Sequence, residues 1–203
     1  HVLFRRQRQM CIRDSINLVG EIPSKNKVVI YAIKHQSAWE TVFCTDLFSM
    51  PSIVLKKALI FLPVIGLYFL RSGAIPITRD QGINALKKMG RKAKQAVKEK
   101  RSMMIFPQGT RVNPGVTTKE KPYLPGVFFL YSQTKVSVIP VAHNAGLLWP
   151  KNSFIKYPNR LKSKSITIKI LPEIQPGLSK IEFLKKLETI IENSSNELIK
   201  LES

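Results

Sequence analysis

Apolar positions along the chain recur with two periods. Apolar runs of strand length occupy 28–33, 52–55, 73–78, 102–106, 136–142 and 165–171, the last alternating Ile166, Ile168 and Ile170. Their β-branched and aromatic content predicts strands. Between them, apolar residues fall three and four apart. Residues 82–100 align Ile83, Leu86, Met89, Ala93, Ala96 and Val97 on one stripe and Lys on the other face, which predicts an amphipathic helix. A similar pattern predicts a helix over 179–201, and a short one is expected over 126–133. Ser37 with Glu40 three residues later reads as a capping box, opening a helix that runs to Phe48 and stops before Pro51. Pro140, inside an apolar run, predicts an edge strand or a bulge. Strands alternating with helices predict a single α/β domain.

Two stretches depart from this pattern. Residues 58–70 are a thirteen-residue apolar run broken by Pro63 and Gly66 and bounded by Lys56, Lys57 and Arg71. A spanning helix needs about 18 to 20 such residues. The run is therefore expected either to form a buried helix pair or to lie at a membrane interface with basic flanks. Residues 1–15 fit no period and hold four of the ten Arg. They resemble translated sequencing adapter and are expected to be a non-native leader, with the domain taken as 16–203; a basic membrane-surface arm is the other reading.

Composition narrows the partners. The 203 residues carry 33 Lys plus Arg against 13 Asp plus Glu, a net charge of +20. Removing the leader leaves the excess in place. It predicts an anionic partner, whether nucleic acid, acidic membrane or phosphorylated substrate, although a Lys/Ile/Asn bias supplies part of it. The two Cys, Cys11 and Cys44, form no Cys-x-x-Cys, which excludes a disulfide scaffold and a Cys-ligated zinc site.

Candidate chemistry concentrates in two loops that follow predicted strands, where α/β proteins usually place their sites. His35 sits between a strand end and a helix start, and Glu40 follows five residues later. On a continuous helix that spacing would separate the two side chains by about 140°. With the helix starting at Ser37, the turn can instead fold the imidazole over the first helical turn. Glu40 could then hold one ring nitrogen and leave the other as a base. The opposing reading is that Glu40 only completes the capping box. The second loop, Phe-Pro-Gln-Gly-Thr-Arg at 106–111, suits a phosphate oxyanion through Gly109, Thr110 and Arg111. Arg79, after the 73–78 run, is a similar candidate. No phosphate-binding P-loop, dinucleotide fingerprint, nucleophile elbow or zincin motif occurs.

In order, His-Gln-Ser-Ala-Trp-Glu at 35–40, Gly-Ala-Ile-Pro-Ile-Thr-Arg at 73–79, Phe-Pro-Gln-Gly-Thr-Arg at 106–111 and Val-Ile-Pro-Val at 138–141 resemble the four blocks of the glycerolipid acyltransferase family. The resemblance is to its bacterial lysophosphatidate-acylating members and runs from about 21 to 150. It implies a mixed β-sheet flanked by helices. It also implies transfer of an acyl chain from acyl-CoA or acyl carrier protein to the free hydroxyl of 1-acyl-sn-glycerol 3-phosphate (lysophosphatidic acid), without cofactor or metal. His35 would be the general base, oriented by Glu40. Arg79 and Arg111 would bind the acceptor phosphate, with Lys56 or Lys57 adding charge. Gly109 would allow close backbone approach, and Gln108 and Thr110 would contact the acceptor. Pro140 would belong to the donor side. The expected location is the cytoplasmic face of the cell membrane, on an anionic lipid surface, peripheral or anchored by a missing N-terminal segment.

Three residues depart from the family pattern: Glu40 stands for Asp, Gln108 for Glu, and Lys34 for a common Asn. Gln108 cannot act as a carboxylate. The other readings are a related acyltransferase with glycerol 3-phosphate or another lysolipid as acceptor, a non-catalytic lipid-binding protein, and a basic nucleic-acid-binding module. The last lacks any recognised reading motif and aromatic residues interleaved with the cations.

Overall fold

A computed structural model describes residues 15–78, 82–151, 157, 162 and 165–202. Among the described residues, seven strands make one sheet: β1 (Ser15–Val19), β2 (Ile30–Ile33), β3 (Ser52–Lys56), β4 (Ile75–Ile77), β5 (Met103–Ile105), β6 (Val138–His143) and β7 (Ser165–Ile170). The helices are α1 (Trp39–Leu47), α2 (Ile65–Arg71), α3 (Gly82–Lys98), α4 (Gly126–Thr134), α5 (Ala145–Leu148) and α6 (Lys180–Glu202), with a 3-10 turn at Lys57–Phe61.

The strand order is β1-β7-β6-β2-β5-β3-β4. Every pairing is parallel except β6 with β7, which makes the sheet mixed. The central strands read as unbroken apolar runs because helices cover both faces. Alternate side chains of one strand point to opposite faces. Tyr31 and Ile33 therefore join Ile53, Met104, Phe106 and Val141 under α1, α2 and α5. Ile30 and Ala32 join Val54, Met103 and Val138 under α3, α4 and α6. The short β2, β3 and β5 all run the same way, so their carboxyl ends form one rim, and the predicted chemistry lies there.

Several expectations need correction. Pro140 is not on an edge: β6 lies between β7 and β2, fully buried. The irregularity lies on the partner segment, which has one residue more between its pairings than β6 has. Val141 faces Ile170, yet Val138 bridges to Ile174, so the register slips by one residue beside Pro140. Pro140 O still accepts from Leu171 N at 3.0 Å, so the missing Pro140 N–H removes one half of a single cross-strand pair. Ile83, placed on the core stripe of the 82–100 helix, is 71% exposed. It lies in the first turn, while the buried stripe runs through Ala85, Met89, Gly90, Ala93 and Ala96. β1 was not anticipated; it pairs in parallel with β7 from Ser15, which had been assigned to the leader. The rest of that leader, 1–14, lies outside the described residues, as does Arg79.

The apolar run 58–70 does not pack as a buried pair. The 3-10 turn and α2 can approach closely because Gly66 has no Cβ, which would collide with the Ile60 carbonyl. Of α2, only Gly66 and Phe69 are buried. Phe61, Val64 and Leu67 are 75%, 82% and 64% exposed, with Leu59, Leu62, Ile65 and Leu70 also exposed around them. Among the described residues, no helix is long and apolar enough to cross a membrane.

Candidate active site

His35 is carried just past the carboxyl end of β2, and its ring is fixed on two sides. Nδ1 lies 2.9 Å from Glu40 Oε1. One face stacks on Phe106, with centroids 3.9 Å apart and planes 18° from parallel. The carbonyl of His35 accepts a hydrogen bond from Val112 N at 2.8 Å, which ties the 106–111 loop to the base.

Glu40 does not have to choose between base and cap. Its Oε1 accepts from His35 Nδ1, from Gln36 N at 2.7 Å and from Ser37 N at 2.7 Å, and Oε2 accepts from Ser37 N at 2.9 Å. Ser37 Oγ accepts from Trp39 N at 3.1 Å, one position earlier than a capping box requires, because α1 begins at Trp39 rather than Ser37. The carboxylate is fully buried. Burial alone would raise its pKa. The His35 hydrogen bond outweighs that, together with electrostatic coupling to His143 and His35 and the Ser37 backbone donor, and holds it below the ordinary carboxylate value. An ionised acceptor at Nδ1 puts the ring proton there. Nε2 then carries the lone pair of a base.

His143, which has no role in the sequence reading, completes the support. Ala145 N donates to His143 Nδ1 at 3.2 Å, so Nε2–H donates to the Lys34 carbonyl at 2.7 Å. Burial holds this imidazole below its ordinary pKa, against the opposing charge of Glu40. A neutral His143 thereby anchors the peptide that enters His35. Its one visible signal is its position at the end of an apolar strand.

His35 opens into a cavity of about 660 Å³ at the carboxyl ends of β2, β3, β4 and β5, the usual ligand position in open α/β sheets. Its walls are mainly apolar, including Ile53, Leu55, Phe69, Leu86 and Met89. The polar contributions come from His35, Thr41, Lys56, Thr110 and Arg111. Neither Lys56 nor Arg111 has a carboxylate partner among the described residues. Such a space can hold an aliphatic chain beside a base, with cations for an anionic group. A second cleft, of about 530 Å³ and lined by Lys25, Tyr31, Phe48 and Arg101, contains no His.

The structure thus brings together His35, Glu40, Lys56, Gly109, Thr110 and Arg111. Gly109 closes a turn in which its N–H donates to Phe106 O at 2.9 Å, at φ 64°, a conformation that strains any residue with a Cβ. Gln108 is buried and stays off the cavity wall, and its Nε2 donates to the Lys121 carbonyl at 2.9 Å. The amide serves the loop fold, a role open to Gln and closed to a carboxylate. Pro140 is buried within the sheet and also stays off the cavity wall. Lys57 starts the exposed 3-10 turn and also stays off the wall.

A family model described as Acyltransferase matches residues 15–144. The chain is 35% identical over 151 residues to 1-acyl-sn-glycerol-3-phosphate acyltransferase of Pseudomonas aeruginosa, covering 74% of this chain and 57% of that protein. It is 27% identical over 139 residues to the Saccharomyces cerevisiae protein of the same name, covering 67% and 46% respectively. The chain therefore spans about half the length of these curated relatives. The crystal structure of the 1-acyl-sn-glycerophosphate acyltransferase PlsC from Thermotoga maritima superposes with a TM-score of 0.75 at 22% identity, over 96% of this chain and 76% of that one. At that identity the likeness speaks for the fold.

Proposed function

The chain belongs to the acyltransferase family, and from that premise we propose that it transfers an acyl chain from an acyl thioester to the free hydroxyl of 1-acyl-sn-glycerol 3-phosphate, giving phosphatidic acid for phospholipid synthesis. One observation carries the reading: a His35–Glu40 pair, with Nδ1 held at 2.9 Å, opens onto an apolar cavity that also contains Arg111 and Lys56.

His35 Nε2 removes the proton from the acceptor hydroxyl as the oxygen attacks the thioester carbonyl. The carbon–oxygen bond forms, the carbon–sulfur bond breaks, and the imidazolium returns its proton to the leaving thiolate. Glu40 stabilises the charge on His35 between these events. No acyl-enzyme is required, since a held alcohol next to a poised base gains most of what covalent capture would supply. Arg111 and Lys56 bind the acceptor phosphate, with the Thr110 hydroxyl beside them. Arg79 has the same assignment on the strength of its motif. The apolar wall receives an acyl chain. Acyl-CoA and acyl carrier protein both fit as donors.

The exposed apolar surface of the 3-10 turn and α2, flanked by Lys56, Lys57 and Arg71, is suited to the interface of an anionic bilayer, where both lipids of the reaction reside. The reading places the enzyme peripherally on the cytoplasmic face of the cell membrane. The test is purified chain with lysophosphatidate and either donor, reading phosphatidate by mass and free thiol by absorbance. Matched appearance of both supports the reading, and thiol release that does not depend on the acceptor contradicts it.

A further inference from the structure

Lys34 stands next to the base and is held at every polar atom. Its N–H donates to Val141 O at 3.0 Å, and its carbonyl accepts from His143. Its ammonium, only 3% exposed, donates to both oxygens of Glu192, at 2.7 and 2.8 Å. Glu192 belongs to α6, far from the catalytic residues in sequence. The same carboxylate accepts from Tyr123 OH at 2.8 Å. Tyr123 belongs to the segment that closes the cavity: Leu124 N donates to Pro107 O at 2.8 Å, and Leu124 and Pro125 line the wall.

One carboxylate therefore joins the two segments that must be in register for the reaction. Through Lys34 it reaches the strand end that carries His35. Through Tyr123 it reaches the loop that carries Arg111 and the wall. A buried ammonium with its charge satisfied is stiff, and removing one partner leaves the other exposed to a large desolvation cost. Small displacements of a base from its substrate cost rate steeply.

We propose that Glu192 is a positioning residue that sets His35 against the acceptor-binding loop, with Lys34 and Tyr123 as its two arms. The assignment rests on the proposed acyl transfer. It predicts that the arms separate kinetically. Glu192→Gln, which loosens the His35 arm, lowers kcat at least tenfold with the acceptor KM within twofold. Tyr123→Phe, which frees only the loop, raises the acceptor KM about fivefold or more with kcat within twofold.

The double variant Lys34→Met/Glu192→Leu replaces the buried pair with apolar side chains of similar bulk, which commonly preserves stability. Its thermal melt is expected to match the wild type while kcat remains at least tenfold down. If the double variant recovers wild-type kcat, or Glu192→Gln never loses it, the pair only stabilises the fold and the proposal is overturned. A proton NMR signal from His35 Nδ1–H provides a readout independent of turnover. It is expected in the wild type and broadened or shifted in Glu192→Gln. Should the wild type show no turnover, the acyl-transfer reading fails, and an unchanged Nδ1–H signal would then separately overturn the positioning role.

Discussion

His35 Nδ1 and Glu40 Oε1 are 2.9 Å apart, and the same Glu40 oxygen also accepts from the backbone N–H groups of Gln36 and Ser37. Those two backbone bonds close the turn that places the imidazole over the first turn of α1. Fold and base are thus set by one fully buried carboxylate. Glu40→Gln keeps an oxygen for the backbone donors but loses the charge that fixes the His35 tautomer. Its kcat is expected to fall about 100-fold to 10,000-fold, while its melt changes less than that of Glu40→Ala. A steady-state rate and a melting curve on each variant check this.

Arg111 and Lys56 are the unpaired cations of the cavity among the described residues. Arg111→Ala is expected to raise the KM for a phosphate-bearing acceptor about 10-fold to 100-fold, the loss of a charge-assisted hydrogen bond. Arg111→Lys should recover only part of it, since an ammonium lacks the planar fork. Acceptor titrations at fixed donor measure both.

Acid stability follows from two buried groups. His143 has its pKa lowered by burial from 6.5. The unfolded chain therefore binds a proton that the fold refuses, and stability present above pH 6.5 declines as pH falls below it. Glu40, lowered from 4.5 by its donors despite burial, adds a second loss as pH falls from 4.5 toward its folded value. Melting temperature against pH should show both declines. His143→Gln should remove the upper one and keep the lower.

The proposed membrane association rests on the exposed Phe61, Val64 and Leu67 with their basic flanks. Burying each such side chain is worth about 1.5–3 kcal/mol. The triple serine variant should therefore lose about 100-fold or more in binding to vesicles of anionic lipid. Added salt should weaken the wild type further. Co-sedimentation with anionic and neutral vesicles measures both effects.

Local signals made much of this legible. The apolar run at 102–106 is a short buried strand, and at 165–171 β-branched residues alternate, with Ile166 and Ile168 buried as that alternation requires. His35 and Glu40 could be paired because Ser37 and Pro51 bracket a helix and leave the His outside it. Other features depended on tertiary partners that sequence spacing does not encode. Pro140 reads as an edge residue until β7 is found beside it, turning at Leu171 to shift register. Gln108 lies within the motif, yet its amide answers a carbonyl thirteen residues away. Lys34 and Glu192 are 158 residues apart, so their pairing is visible only once α6 lies across the sheet.

The central claim is that the imidazole of His35 is the base for acyl transfer. The direct measurement is thiol release from an acyl thioester with lysophosphatidate present, wild type against His35→Ala, with matched melts to establish folding. The account predicts a rate at least 100-fold lower in the variant, and a His35→Ala protein that turns over within twofold of the wild type would contradict it.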